Sequence, residues 1–119
     1  MTYRFGDFVL SLDARKLLRR GADVQLSAKA FELLKALVEA YPRALSKVEL
    51  HDRLWRGIFV TPGNLALLVA ELRTALRDDA RSLRYIRTLH GFGYAFAAEV
   101  TQISDAGANR WSRETDPDL

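Results

Sequence analysis

The hydrophobic residues between positions 65 and 76 recur at the spacing of a helix that buries one side. Leu65, Leu68, Val69, Leu72 and Leu76 fall on one stripe when successive residues turn by about 100°. The opposite side carries Ala66, Leu67, Ala70, Glu71, Arg73, Thr74 and Arg77. Thr61 suits the N-cap and Pro62 the first helical position, so we predict a long helix over residues 62–78 with one open face.

A hairpin with a glycine-rich tip is predicted directly after this helix, over residues 85–96. Ile86 and Thr88 alternate with Arg87, the pattern of a strand with two different faces. Gly91 and Gly93 allow a tight reversal of the chain. The sequence therefore predicts a long helix followed by a two-stranded ribbon, a combination suited to a nucleic-acid groove.

Short hydrophobic runs separated by turn residues fill the N-terminal part of the chain, from residue 3 to residue 27. Gly6-Asp7 and Gly21-Ala22-Asp23 are the turn segments between these runs. The spacing predicts an antiparallel meander of three or four strands. Leu17 and Leu18, in the third run, are also compatible with a helix.

Two further helices are predicted between this meander and residue 62. Ser27 suits the N-cap of a helix over residues 28–41, which Pro42 ends. Ser46 and Glu49 have the spacing of a capping box, which predicts a second helix from there to about Trp55.

The loop over residues 56–60 is rich in large hydrophobic side chains and has two interpretations. In the first, Ile58 and Val60 are buried under the helices. In the second, Arg56, Ile58 and Phe59 form an exposed contact patch for another protein, chiefly through Phe59.

Composition limits the class of protein. The 119 residues suit one domain with its own core, and the absence of cysteine excludes disulfides. The net charge is +3, and because residues 101–119 hold two arginines against four carboxylates, residues 1–100 carry +5. Such a basic body permits phosphate binding without requiring it. With no signal-peptide pattern and no long apolar run, we expect a cytoplasmic protein that does not contact a membrane.

Candidate chemistry is sparse. His51 and His90 are the two histidines, and no cysteine accompanies them, so we expect no metal site. No Ser/His/Asp set or carboxylate pair has a recognisable catalytic context, so we expect neither an enzyme nor a cofactor.

Six segments of the chain resemble the OmpR/PhoB-type winged-helix DNA-binding domain of bacterial transcription regulators. They are RFGDF at 4–8, LSAKAFELL at 26–34, ALSKVEL at 44–50, LW at 54–55, LRTAL at 72–76 and YIRTLHGFGY at 85–94. The match covers residues 3–98, and its last segment is the most specific. It implies an α+β winged helix-turn-helix over residues 1–100, with an N-terminal antiparallel β-sheet, three helices and a C-terminal β-hairpin wing. Among family members, the chain most resembles one-component regulators that begin with this domain. Separately, the change of composition from Thr101 onward, to Ser, Asp, Gly, Asn, Arg and Pro, predicts a disordered tail or linker over residues 101–119.

The resemblance also implies roles for individual residues. The helix at 62–78 would lie in the major groove of double-stranded DNA and the hairpin at 85–96 in the minor groove. The implied contacts are Gly63, Asn64, Leu67, Leu68, Glu71 and Arg73 on the helix, His90 at the wing tip, and Ser46 and Lys47 on phosphate. The loop at 56–60 would touch RNA polymerase, and the protein, a monomer alone, would pair on DNA.

The open face of the helix departs from the family pattern. Related helices usually carry two or more arginines or a histidine there, whereas this chain has Leu67, Leu68, Ala70 and Glu71. Asn64 suits adenine, Leu67 a thymine methyl and Glu71 cytosine N4, and phosphate contacts would come from Lys47, Arg73, Arg77 and Arg87. The alternative hypothesis is a winged-helix module repurposed for protein–protein interaction, with weak or no DNA binding.

Overall fold

The computed structural model describes residues 1–58, 60–61, 63–78 and 85–103. Their elements are β1 Thr2–Phe5, β2 Phe8–Ser11, β3 Lys16–Arg19, β4 Ala22–Val24, α1 Ala28–Ala40, β5 Leu45–Ser46, α2 Lys47–Leu54, α3 Gly63–Ala75, β6 Ile86–Leu89, β7 Gly93–Phe96 and β8 Thr101–Ile103. The predicted α+β class is confirmed. The chain divides into two compact units, Met1–Val24 with the segment from Glu99 onward, and Gln25–Ala98. That residues 1–100 form one domain stays a prediction.

The first unit is an antiparallel sheet in the order β4-β3-β2-β1-β8. Because side chains alternate along each strand, Tyr3, Leu10 and Leu17 form one cross-strand row, and all three are buried. Phe5 and Phe8 stack beside that row with ring centroids 5.7 Å apart. The predicted meander is therefore confirmed with four strands, and the Leu17-Leu18 segment is a strand.

Strand β8 corrects the prediction of a disordered tail beginning at residue 101. Thr101–Ile103 pairs antiparallel with β1, with Thr2 opposite Ile103 and Arg4 opposite Thr101. A three-residue strand whose partner lies almost the whole chain away has no local signal that sequence periodicity could detect. Residues 104–119 lie outside the described residues, so the prediction of a tail or linker stays open for them.

The capping motifs predicted for α1 and α2 are confirmed, whereas the predicted N-cap at Thr61 of α3 stays a prediction. Ser27 caps α1, because its Oγ accepts from Ala30 N at 3.2 Å. Ser46 and Glu49 form a complete capping box on α2, with Glu49 N donating to Ser46 Oγ and Ser46 N donating to Glu49 Oε1, both at 3.0 Å. Among the described residues, none of the helices has the length and apolar character that a membrane crossing requires.

Helix α3 ends at Ala75, earlier than the predicted residue 78, because Arg77 adopts a left-handed conformation with φ 58°. Arg77 N donates to Thr74 O at 3.1 Å and Asp78 N to Arg73 O at 2.8 Å. These two bonds form a Schellman motif with arginine where glycine is usual. The Asp78 carboxylate then accepts from Ile86 N at 2.9 Å, which fixes the start of β6 relative to the helix end. Pro62, the predicted first helical residue, lies outside the described residues.

The predicted hairpin is confirmed as β6 and β7, and β5 joins them in a sheet of order β5-β7-β6. Gly91 has φ 75° and serves the reversal as predicted. Gly93 has a different role, because it lies opposite Ser46 in the β5–β7 pair. A Cβ at residue 93 would lie 2.0 Å from Leu45 O, so only glycine allows the two backbones to approach.

Substitution Gly93→Ala should destabilise the second unit, because the added methyl meets backbone that cannot move without breaking the β5–β7 pair. We expect a loss of about 1–3 kcal/mol in the free energy of unfolding, measured by urea denaturation. Gly63→Ala is the matched control, because a Cβ there meets nothing within 4 Å. Equal stabilities for the two variants would contradict the close approach at residue 93.

Substitution Glu49→Gln should reduce the pH dependence of the free energy of unfolding at acidic pH. The Ser46 backbone N–H donates to the Glu49 carboxylate and holds its pKa below the ordinary value of 4.5. The unfolded chain therefore takes up this proton first, so the stabilisation is complete above about pH 4.5 and is lost as pH falls through the folded pKa.

Glutamine keeps the capping hydrogen bond without the charge, so the variant isolates the titration. Urea unfolding between about pH 3 and pH 6 is the measurement, and Glu39→Gln, at an exposed position on α1, is the control. An unchanged pH dependence in Glu49→Gln would show that this carboxylate does not contribute.

Candidate nucleic-acid interface

Helix α3 has one buried side and one open side, as its periodicity predicts. Leu65, Val69, Leu72 and Leu76 are each at most 2% exposed. On the opposite side Leu67 is 70% exposed, and Gly63, Ala66, Ala70 and Thr74 are also exposed. Asn64 and Leu68, both predicted DNA contacts, are half-buried. The helix thus offers an external face that is continuous from its first residue to its last turn.

The hairpin β6–β7, called the wing below, is attached to α3 through Arg73. Arg73 Nη2 donates to Ile86 O at 3.0 Å and to Thr88 Oγ1 at 2.8 Å. The side chain is half-buried, and its Nε is buried with no hydrogen-bond partner among the described atoms. Arg73 therefore links helix and wing in this structure, whereas its predicted contact with DNA stays a prediction.

The Glu71 side chain of α3 is hydrogen-bonded to Ser27, the N-cap residue of α1. Its Oε2 accepts from Ser27 N at 2.9 Å and its Oε1 from Ser27 Oγ at 3.0 Å. A carboxylate at a helix N-terminus is favoured by the helix dipole as well as by these donors. Both oxygens of Glu71 thus face α1, although the sequence resemblance assigned this side chain to the DNA groove.

The N-terminus of α2 lies beside the wing. The capping box of α2 uses both the N–H and the hydroxyl of Ser46, and the neighbouring Lys47 N donates to Phe92 O at 3.0 Å. The Lys47 side chain is exposed. The first residue of α2 is therefore joined to the wing tip through its backbone.

The wing, the end of α3 and the start of α2 expose several basic side chains. Arg77, Arg87 and His90 are exposed, as is Lys47. Phe92, which the sequence did not single out, is 48% exposed at the tip. An alternating strand pattern gives no information about a residue inside a hairpin turn, which is why this side chain was missed.

The loop after α2 has a different surface. Ile58 is 65% exposed, so the interpretation that it is buried is wrong, whereas Val60 is half-buried. Arg56 is exposed, and Phe59 lies outside the described residues. Trp55, Ile58, Val60 and Leu65 line part of an open cleft of about 590 Å³ between α2 and α3.

Comparison with known proteins identifies a family of similar sequences and structures. Residues 21–96 match the family model described as "Transcriptional regulatory protein, C terminal". Transcriptional regulator HilA of Salmonella typhimurium is 36% identical over 100 residues, covering 84% of this chain and 18% of HilA. This chain therefore spans less than a fifth of the length of that relative.

Solved structures agree with the sequence match. The DNA-binding domain of Escherichia coli CadC has 28% identity and a TM-score of 0.74, covering 84% of this chain and 94% of that one. The Klebsiella pneumoniae RstA DNA-binding domain, solved in complex with the RstA box, has 26% identity and a TM-score of 0.72 over 81% of this chain and 96% of RstA. The predicted winged-helix architecture is thereby confirmed.

Substitution Thr88→Val should loosen the wing, because it removes the acceptor of the 2.8 Å bond from Arg73 while keeping side-chain volume. We expect a loss of about 1–2 kcal/mol in unfolding free energy, with faster amide exchange in β6. Arg87→Ala, at an exposed position of the same strand, is the control. In a double-mutant cycle with Arg73→Met, a coupling energy near zero would contradict the link.

Proposed function

The chain belongs to the OmpR/PhoB-type family of transcriptional regulatory protein C-terminal domains, and on that premise we propose that α3 binds the major groove of double-stranded DNA while the wing contacts the minor groove. The observation that carries the proposal is the external face of α3 with a wing fixed beside it by Arg73, at 3.0 and 2.8 Å. The major groove admits a helix of this kind. The similar RstA domain, at 26% identity, was solved with its DNA box.

Phosphate contacts supply the binding that does not depend on sequence. Lys47, Arg77, Arg87 and His90 are exposed near α3 and the wing. Gly63 lies at the first turn of α3, where backbone N–H groups donate to anions. Ser46 is the N-cap of α2 and donates its N–H to Glu49, so its contribution to a phosphate contact would be its hydroxyl hydrogen. In this proposal these residues orient the protein on the duplex and do not read its sequence.

The proposed cellular role is that of a DNA-binding domain in a transcription regulator. It functions on cytoplasmic DNA as part of a transcription regulator, as a monomer that pairs on repeated half-sites. The exposed Arg56 and Ile58 support contact of the loop with RNA polymerase, and Phe59, the third residue predicted for that contact, lies outside the described residues. The family has no enzymatic role, and we propose none here.

The alternative function is a winged-helix module that contacts another protein. The exposed Leu67 supports it, but it is less favoured because the similar structures include DNA-binding domains.

Binding to duplex DNA should weaken steeply as salt rises from about 50 to 200 mM, because phosphate contacts release counterions. Lys47→Ala and Arg87→Ala should each weaken binding to all sequences alike and reduce the logarithmic salt slope by about 1. Fluorescence anisotropy with duplexes selected from a random library is the measurement.

Arg53→Ala is the matched control, because it removes one exposed arginine of α2 from the cleft that faces α1. This variant should retain the parent affinity and salt slope. Affinity that does not change with salt, or an equal loss in Arg53→Ala, would contradict the proposed surface.

A further inference from the structure

We infer that the open face of α3 reads thymine methyl groups at A·T base pairs, and that its two charged side chains, Glu71 and Arg73, position the helix without reading bases. This inference rests on the proposed function, because it names the class of DNA sequence that the same helix would bind. It differs from the sequence-based expectation, in which Glu71 and Arg73 belong to the groove contacts.

The centre of the open face is an apolar stripe. Gly63, Leu67, Ala70 and Thr74 follow one another at steps of four, three and four residues, which places them on one line along a helix. All four are exposed, and Leu67 is the largest of them at 70% exposure. The line lies opposite the buried stripe that begins at Leu65, so it is the part of α3 that would enter a groove most deeply.

The two charged residues of α3 lie on opposite sides of this stripe. Glu71 and Arg73 are two positions apart, so they project about 200° apart around the axis. Glu71 accepts from Ser27 N and Oγ at 2.9 and 3.0 Å, and Arg73 donates to the wing at 3.0 and 2.8 Å. Each charge is therefore bound to a different neighbouring element, and together they fix the rotation of α3.

The remaining chemistry of the stripe selects among the four bases. Guanine is read by arginine or lysine, and cytosine N4 by a carboxylate, and neither group lies on the stripe. Thr74 donates its hydroxyl to Ala70 O at 3.0 Å, so its donor is used within the helix. Leu67 and Ala70 are apolar groups suited to the C5-methyl of thymine, and Asn64 at the first turn is suited to adenine.

The direct test is removal of the methyl group from the DNA. Duplexes selected for binding to the full chain would be remade with deoxyuridine in place of single thymidines, which deletes the methyl but leaves base pairing intact. At thymines beneath α3 we expect about fourfold weaker binding per methyl, the worth of one buried CH₂ group. At those positions, the chain should bind a duplex that contains 5-methylcytosine more tightly than one that contains cytosine. The modified base has the methyl group without the A·T hydrogen-bonding pattern.

A variant assigns the effect to a side chain. At one base pair, the Leu67→Ala variant should have the same affinity for the duplex with thymidine and the duplex with deoxyuridine. At the other base pairs it should still bind the thymidine duplex more tightly. Because Leu67 is exposed, its truncation leaves the core intact. Val48→Ala, at a 78% exposed position on α2, is the matched control and should keep the methyl effect at every position.

A second pair of variants tests the positioning role of Glu71. Glu71→Gln should weaken binding to all sequences alike with base preference unchanged, because it disturbs the bonds to Ser27. Ser27→Ala should do the same, and Ser27→Thr, which retains the hydroxyl, should restore the parent affinity. A general loss of fold would reduce helical circular dichroism as well, which these variants should retain.

The outcomes separate this inference from the proposed function. Salt-dependent binding without any methyl effect, or a selected site rich in G·C whose preference changes in Glu71→Gln, would overturn the inference and leave DNA binding intact. Absence of salt-dependent binding would overturn both. A methyl effect that Leu67→Ala removes at one base pair would support the inference.

Discussion

The orientation of α3 depends on two charged side chains that bind in opposite directions. Glu71 accepts both polar hydrogens of Ser27, and Arg73 donates to the carbonyl of Ile86 and the hydroxyl of Thr88. Hydrogen bonds that involve an ionised group are stronger and more directional than neutral ones, so they limit rotation of a helix that hydrophobic packing alone leaves adjustable. These bonds join α3 to the start of α1 on one side and to the wing on the other.

The same residues connect several parts of the second unit. Ser27 both caps α1 and binds Glu71, so the start of one helix sets the rotation of another. At the other end of α3, Asp78 follows the left-handed Arg77 and accepts from the backbone of β6. Lys47 N binds Phe92 O, which joins α2 to the wing tip. An interface built from three elements is thus held by contacts between their ends, where backbone groups lack partners within the helix.

Features of the fold that depend on a local residue pattern could be predicted from the sequence. The period of Leu65, Val69 and Leu72 gave the buried side of α3, and Ser46 with Glu49 gave the start of α2. Sequence analysis did not recover β5 or β8, which are short and exist through pairing with distant strands. It did not detect the contact between Glu71 and Ser27, because Ser27 is 44 residues away and no local pattern links the two. Two side chains that a helical projection places outside the core, Glu71 and Arg73, therefore have partners in distant elements once the tertiary structure forms.

A crystal structure of the chain bound to a selected duplex would test the account most directly. We expect the Glu71 carboxylate within hydrogen-bonding distance of Ser27 N and Oγ, as in the unbound chain at 2.9 and 3.0 Å, with the Leu67 side chain against a thymine methyl. A complex in which Glu71 leaves Ser27 and accepts from cytosine N4, with Leu67 turned away from the bases, would contradict it.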